Sequence, residues 1–218
     1  MTDIDVTVLP YDRILALGDS ITEAGGGSRK WTTEPAVGPG WFAHVTRAGH
    51  GGERHLEFVN RGVGGNRVPD LLARLDADVI AAEPTLVLVY IGINDVWHFR
   101  DGRGTPEEEY RDGLREVVDR LLAAGLRVLL CTPTVIGEQV EGTNVQDAML
   151  TTYTQINRDV AAATGVPLCD LHAAFRAELA RVNADDAPEG VLTTDGVHLS
   201  EAGNALVATT IGAAIGLH

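Results

Sequence analysis

Short apolar runs alternate along the chain with longer amphipathic segments, and this pattern predicts alternating strands and helices. Five of these runs have the length and the β-branched or leucine-rich composition of buried strands, and polar or glycine residues bound them. The predicted strands cover residues 13–18, 56–60, 85–91, 127–131 and 166–170.

Three amphipathic segments predict helices, because their apolar positions recur with a period near 3.6 residues. The first begins at Thr105-Pro106-Glu107-Glu108, which has the form of a capping box with proline at the first helical position, and it ends at Gly125. The second runs from about Asn144 to Gly165, and Ser200 opens the last one. Their apolar faces carry Tyr110, Leu114, Val117, Val118 and Leu121; Met149, Tyr153, Ile156 and Val160; and Leu206, Ile211 and Ile215.

The order of these elements predicts an α/β fold of three layers, in which helices cover both faces of a doubly wound, five-stranded parallel sheet, as in flavodoxin-like proteins. Five strands are too few for an eight-stranded barrel. We expect residues 1–218 to form a single domain, since the sequence shows no repeat, low-complexity tract or linker. The glycine-rich stretch 24–40 and the segment 183–190 are expected to be loops that border a cleft.

The charge balance and the hydropathy of the chain exclude some classes of partner. A formal net charge of −14 argues against nucleic acid, which needs clustered Lys and Arg on the protein. No apolar run approaches the ~20 residues of a membrane span, and the first five residues lack the basic and apolar regions of a signal peptide. We therefore expect a cytoplasmic protein with no membrane partner.

The two cysteines, Cys131 and Cys169, each end an apolar run and show no metal-ligand spacing with any histidine. We interpret both as small buried hydrophobic residues. The sequence gives no reason to expect a metal or another cofactor.

Polar and glycine residues cluster where the predicted strands end. The segment GDS at 18–20 follows the first strand, NRGVGGN at 60–66 follows the second, GIND at 92–95 follows the third, and DGVH at 195–198 lies near the C-terminus. The carboxyl ends of parallel strands meet at one edge of a sheet, where ligands bind in open α/β folds. These blocks therefore predict a site in which Ser20 is a candidate nucleophile.

A nucleophilic serine needs a histidine base and a carboxylate that orients it. Asp195 and His198 are three residues apart and would share one face of a helical turn. Asp170 and His172 would share a face at the end of the fifth strand, and His98 lies just past the third block. Spacing alone leaves these alternatives open.

In order, spacing and strand context, the four blocks closely resemble those of the SGNH/GDSL hydrolase family of serine esterases and lipases. The resemblance implies that Ser20 is the nucleophile, that His198 is the general base and that Asp195 orients it. It further implies an oxyanion hole made by the N–H of Ser20, the N–H of Gly65 and the side-chain amide of Asn94. The choice of Gly65 over the preceding glycine rests on the resemblance.

Several neighbouring residues have structural rather than chemical interpretations. Asp19 and Asp95 are expected to accept hydrogen bonds at turns and helix starts. The aromatic residues Trp31, Trp97 and Phe99 lie in segments that flank the predicted cleft, so we assign them to substrate binding.

The resemblance implies acyl transfer from an ester to water through an acyl-serine, with no cofactor. The chain has no long apolar lid and few aromatic residues, which favours short-acyl esters, above all acetyl esters of carbohydrates or small alcohols. Thioesterase, lysophospholipase and acyltransferase activities within the family remain alternatives. A flavodoxin-like ligand-binding module is disfavoured because phosphate-binding glycine motifs are absent, and an α/β-hydrolase because Gly-x-Ser-x-Gly is absent around Ser20.

Overall fold

A computed structural model describes residues 5–23, 31–33, 40–50 and 53–217. Within them, five strands form one parallel sheet: β1 (Arg13–Gly18), β2 (Glu57–Gly62), β3 (Leu86–Tyr90), β4 (Arg127–Cys131) and β5 (Leu168–Cys169). Their order in the sheet is β2-β1-β3-β4-β5. This arrangement confirms the predicted fold class.

The last strand is shorter than the predicted span 166–170, and two residues explain why. Pro167 has no N–H to donate, although its carbonyl accepts a hydrogen bond from Leu130 of β4. The carboxylate of Asp170 accepts the N–H of Ala173 and so begins a helix instead of continuing the strand. Only two residues between them pair with β4.

Helices in the described residues cover both faces of the sheet. The helices are α1 (Ser20–Glu23), α2 (Trp41–Gly49), α3 (Val68–Asp78), α4 (Ile93–Trp97), α5 (Glu107–Ala123), α6 (Asp147–Thr164), α7 (Leu171–Val182) and α8 (Glu201–Ala214). Contacts join α3, α5 and α6 in one row and α2, α8 and α7 in another. None of these helices is both long and apolar enough to cross a bilayer.

The three predicted helices correspond to α5, α6 and α8, with corrections at two of their starts. The prediction that Thr105 caps α5 is wrong, because the helix begins one residue later than expected and Pro106, in an extended conformation, occupies the capping position. The α6 helix begins at Asp147, since its carboxylate accepts the N–H of Asn144 and holds the preceding residues in a turn. Ser200 caps α8 as predicted.

The sheet is buried on both faces, which explains why the strands are continuous apolar runs without alternation. Leu15 of β1, Leu88 of β3 and Leu129 of β4 are completely inaccessible to solvent. Because β1 lies between β2 and β3, the chain reverses its direction of winding there, and the crevice that results lies at the carboxyl ends of β1 and β3. The segments that begin at Asp19 and Gly92 leave the sheet at this point.

Two buried carboxylates fix the turns at this crevice, in the structural roles that the sequence predicted. One oxygen of Asp19 accepts the N–H of Ile21 at 2.9 Å, and one oxygen of Asp95 accepts the N–H of Val68 at 3.1 Å, at the start of α3. Burial raises the pKa of Asp19 to about 7 and that of Asp95 to about 6. Both side chains are almost fully enclosed, so their ionised forms are disfavoured in the folded protein.

The raised pKa of Asp95 predicts a specific pH dependence of stability. Between the unfolded value near 3.8 and the folded value of about 6, the folded state binds more protons, so this carboxyl reduces stability as the pH rises. The amide introduced by Asp95→Asn would keep an oxygen for the Val68 N–H and would not ionise. From pH 4 to 8, the free energy of unfolding of Asp95→Asn, measured by urea denaturation, should gain about 3 kcal/mol relative to wild type.

The control is Asp119→Asn, which changes an exposed carboxylate on α5 and should leave the pH dependence close to that of wild type. Parallel stability curves for wild type and Asp95→Asn would contradict the assigned effect of burial.

Candidate active site

Three predicted residues form a continuous chain of hydrogen bonds at the carboxyl end of β1. The Oγ of Ser20, the first residue of α1, lies 3.1 Å from Nε2 of His198. On the other side of the ring, Nδ1 lies 2.7 Å from Oδ2 of Asp195. An ionised carboxylate can only accept, so Nδ1 carries the hydrogen and Nε2 is left to accept the proton of the serine hydroxyl.

The contact between Asp195 and His198 was predicted on the assumption of a helical turn, which the structure does not contain. The second carboxylate oxygen of Asp195 instead accepts the backbone N–H groups of Val197 at 3.0 Å and His198 at 2.7 Å. Gly196, which follows Asp195 in this turn, has a φ of +83°, which residues with a Cβ rarely adopt. The turn therefore places the aspartate and the imidazole side by side without a helix.

The hydrogen bonds in this turn also act on the ionisation of Asp195. Partial burial raises the pKa of the carboxyl, but hydrogen bonds from the His198 ring and from the backbone of His198 and Val197 lower it by more. The net pKa lies below the ordinary value for aspartate. Asp195 thus stays ionised at neutral pH, as an orienting carboxylate must.

The Gly64-Gly65 segment lies next to Ser20, and the N–H groups of the two glycines differ in their hydrogen bonds. The N–H of Gly64 donates to Oε2 of Glu23 at 2.8 Å, so that group is occupied. In the part of the chain that the structure describes, the N–H of Gly65 has no hydrogen-bond partner. Gly65 has a φ of +76°, which explains why a glycine is required there. These contacts give a physical reason to favour Gly65 as an oxyanion donor.

The side chain of Asn94 is buried at the start of α4, on the other side of the crevice. Its Nδ2 donates to the carbonyl of Asn66 at 3.0 Å, a bond that ties the end of β3 to the glycine segment. An amide nitrogen carries two hydrogens, so one remains for a ligand. With the N–H of Ser20 at the start of α1, these groups are the three donors that the family resemblance implies.

The alternative base and carboxylate are engaged elsewhere. His172 is buried, and its Nδ1 lies 2.5 Å from the carbonyl of Thr134. Asp170 caps α7 and pairs with Nε of Arg158 at 2.9 Å. His98 stacks against a tryptophan at the cleft and has no contact with the serine among the described residues. Geometry therefore singles out Asp195 and His198.

Of the three aromatic residues assigned to substrate binding, Trp97 lies at the site. Its ring meets that of His198 edge to face, with centroids 5.7 Å apart, and it lines a cavity of about 310 Å³ together with Asp195. Phe99 is 41 % exposed and packs against Gly104, and it does not line the cavities at Trp97 or at Gly65.

Trp31 is not at the predicted cleft. The guanidinium of Arg13 lies 4.3 Å above its ring, and Arg13 is the first residue of β1. The strand therefore separates Trp31 from Ser20, which lies just beyond its last residue. The position of Trp31 in the structure therefore gives no support to the prediction that this residue binds substrate.

A second cavity of about 440 Å³ lies beside the glycine segment and is lined by Gly65, Asn66, Arg67 and His98, among others. Within the described residues, no cluster of three or more His, Cys, Asp or Glu side chains has the arrangement of a metal site.

Cys131 and Cys169 face each other on neighbouring strands, buried and free, in line with their interpretation as core residues. Their mutual hydrogen bond and their burial raise the pKa of the Cys131 thiol.

Sequence analysis did not single out Glu138, a carboxylate buried directly beside the loop that bears Asp195 and His198. It accepts backbone N–H groups from the segment 191–193. The available signal was an acidic residue at the end of the largely apolar run 133–137, where burial forces a charged group to find hydrogen-bond donors.

Comparison with known proteins agrees with this geometry. The profile of the GDSL-like Lipase/Acylhydrolase family matches residues 16–206. An acetylxylan esterase from Geobacillus stearothermophilus is 33% identical over 208 residues, which cover 90% of each chain. Among solved structures, the acetyl xylan esterase AlAXEase is 32% identical with a TM-score of 0.82, covering 93% of this chain and 99% of its own.

Axe2, an acetylxylan esterase from Geobacillus stearothermophilus, superimposes over 100% of this chain and 98% of its own, with 30% identity and a TM-score of 0.85. The family match spans most of the chain and includes all four sequence blocks from which the resemblance was drawn. The protein therefore belongs to the GDSL-like lipase/acylhydrolase family of carboxylic ester hydrolases.

Proposed function

We propose that the protein removes short acyl groups, above all acetyl, from esters of carbohydrates or small alcohols through an acyl-serine intermediate. The observation that carries this proposal is the hydrogen-bonded chain from Ser20 Oγ through the His198 imidazole to the Asp195 carboxylate, with distances of 3.1 and 2.7 Å. Such a chain gives a serine hydroxyl the general base that it needs in order to attack a carbonyl.

In the proposed acylation step, Ser20 Oγ attacks the ester carbonyl carbon while Nε2 of His198 takes the hydroxyl proton. Asp195 stabilises the imidazolium that forms and keeps its orientation. His198 then gives the proton to the departing alcohol oxygen, which leaves an acyl-serine. In deacylation, a water molecule attacks the acyl carbon while His198 takes one of its protons, and His198 then returns that proton to Ser20 Oγ as the acid leaves.

The negative charge that develops on the carbonyl oxygen needs donors that are already in place. The N–H groups of Ser20 and Gly65 and the amide of Asn94 supply them, and each donor of this kind contributes about 3 kcal/mol to the transition state. The bond from Asn94 to the carbonyl of Asn66 keeps two parts of this donor set in a fixed relation. We infer that the donors are preorganised before substrate binds.

The preference for acetyl esters rests on two observations. One cavity of about 310 Å³ is lined by Asp195 and Trp97, and another of about 440 Å³ is lined by Gly65; these volumes suit a small acyl group and part of an alcohol. Relatives that match almost the whole chain at 30 to 33% identity are acetylxylan esterases. Trp97, edge-on to His198, offers an apolar surface on which a sugar ring of the alcohol can lie.

We further propose that the substrate is a small soluble ester met in the cytoplasm, with no nucleic-acid or membrane partner. The net charge of −14 disfavours nucleic acid. The chain has only two cysteines, both buried, which fits a compartment in which disulfides are rare.

Replacement of the nucleophile tests the chemical step. Ser20→Ala removes the hydroxyl without changing a buried contact of the core, so the protein should remain folded while kcat falls by at least about 10⁴-fold. Hydrolysis of p-nitrophenyl acetate measures the loss, and circular dichroism monitors the fold. Undiminished hydrolysis by the folded variant would overturn the proposed function.

The roles of the base and the orienting carboxylate predict unequal losses. His198→Ala removes proton transfer altogether, whereas Asp195→Asn leaves the imidazole present but poorly oriented, so the aspartate variant should retain about 10- to 100-fold more activity. Steady-state kcat values for both variants measure the difference. Equal losses, or a larger loss for Asp195→Asn, would contradict these roles.

A series of p-nitrophenyl esters from C2 to C12 tests the acyl preference. We expect kcat/KM to be highest for acetate and to fall as the chain lengthens, because the cavities lined by Asp195 and by Gly65 measure only about 310 and 440 Å³. Faster hydrolysis of C8 or longer esters than of acetate would refute the preference.

A further inference from the structure

The loop that carries Asp195 and His198 rests on the buried side chain of Glu138. This residue follows β4 and is only 1% exposed. Its Oε2 accepts the N–H of Val191 at 2.8 Å, and its Oε1 accepts the N–H of Leu192 at 2.6 Å and that of Thr193. Three successive backbone N–H groups thus converge on one carboxylate.

The hydroxyl of Thr193 extends this contact towards the triad. It donates to Oε1 of Glu138 at 2.8 Å and accepts the N–H of Gly196 at 3.1 Å. Gly196 is the neighbour of Asp195 and lies in the turn that brings the aspartate to His198. One hydroxyl therefore links the buried carboxylate to the centre of the catalytic turn.

The backbone N–H groups of Gly137 and Glu138 also donate hydrogen bonds to the same loop. The N–H of Gly137 donates to the carbonyl of Gly196 at 2.8 Å, and the N–H of Glu138 donates to the carbonyl of Pro188 at 2.9 Å. Gly196 is thus held through its N–H and through its carbonyl. The carbonyl contact comes from Gly137 directly, whereas the N–H contact reaches Glu138 through the hydroxyl of Thr193.

The charge of Glu138 has no salt-bridge partner among the described residues, so hydrogen-bond donors alone offset its burial. Removal of the carboxylate would leave three backbone N–H groups and a hydroxyl without an acceptor in a dry environment. All four belong to the loop that leads to Asp195, and none belongs to the sheet. We therefore expect removal of the Glu138 carboxylate to disturb the geometry of the triad.

We propose that Glu138 is a positioning residue, which acts through Thr193 to keep His198 within hydrogen-bond reach of Ser20. This inference rests on the proposed function, since it assigns a partner to the proposed triad. Glu138 touches no reacting atom and takes no part in proton transfer.

A pair of substitutions at Thr193 separates this role from simple packing. Thr193→Val preserves the shape of the side chain and removes the hydroxyl, whereas Thr193→Ser preserves the hydroxyl and removes the methyl group. We expect kcat for p-nitrophenyl acetate to fall about 10-fold in the valine variant with KM within about threefold, and to remain near wild type in the serine variant. The opposite order would show that packing dominates and would overturn the proposal.

Glu138→Gln tests the carboxylate itself. The amide keeps one oxygen for Leu192 and Thr193, but its NH₂ group faces the N–H of Val191 and repels it. We expect a loss in kcat of about 10- to 100-fold, again with little change in KM. A folded Glu138→Gln variant with the kcat of wild type would overturn the proposal.

Asp12→Asn supplies a matched control for general destabilisation. Asp12 is also a buried carboxylate, and it accepts the N–H of Leu9 at 2.6 Å and the hydroxyl of Thr85 at 2.7 Å, at the opposite end of the sheet. This variant should lose thermal stability and keep kcat at a temperature where it is folded. A loss of kcat equal to that of Glu138→Gln would mean that the effect is not specific to the loop, which would overturn the proposal.

Proton NMR gives a readout that does not depend on turnover. The Nδ1 hydrogen of His198, bonded to the Asp195 carboxylate, should resonate far downfield in wild type, Thr193→Ser and Asp12→Asn, and should broaden or disappear in Thr193→Val and Glu138→Gln. An unchanged resonance in all variants would contradict the positioning role. If Ser20→Ala retained activity, the proposed function would fail, while this resonance would still decide whether Glu138 holds the loop.

Discussion

The hydrogen bond between Ser20 and His198 joins residues that are 178 positions apart, and the whole site depends on it. Local structure cannot supply such a contact. The serine is fixed by the end of β1, in the middle of the buried sheet, whereas the histidine belongs to a short turn before α8. The fold must therefore bring a C-terminal turn to the carboxyl edge of the first strand and hold it there within a few tenths of an ångström.

The order of the strands positions the residues that follow β1, β2 and β3, and contacts between loops position the C-terminal turn. With β1 between β2 and β3, the segments after these strands surround one crevice and bring the serine, the glycine donor and Asn94 together. The C-terminal turn belongs to no strand, and its backbone pairing within the described residues includes one isolated bridge between Thr193 and Leu199. Buried hydrogen bonds from the loop after β4 then take the place of strand pairing, with Glu138 at their centre.

Sequence reasoning found the features that have a local signature. Strands that are buried on both faces read as apolar runs, and the blocks at their ends stood out because packing does not require polar residues there. The cap of α5 was misplaced because proline fits the capping position as well as the first helical turn. The positions of Trp31 and Glu138 were not foreseen for a common reason, since each depends on a contact between segments far apart in the chain, which adjacent residues do not encode.

The central claim, that Ser20 is an activated nucleophile, can be tested by covalent labelling with a fluorophosphonate followed by peptide mass spectrometry. The account predicts a single adduct on Ser20, formed rapidly in wild type and much more slowly in His198→Ala, because the imidazole must take the hydroxyl proton. An adduct on another residue, or the absence of any adduct on a protein that hydrolyses acetate esters, would contradict it.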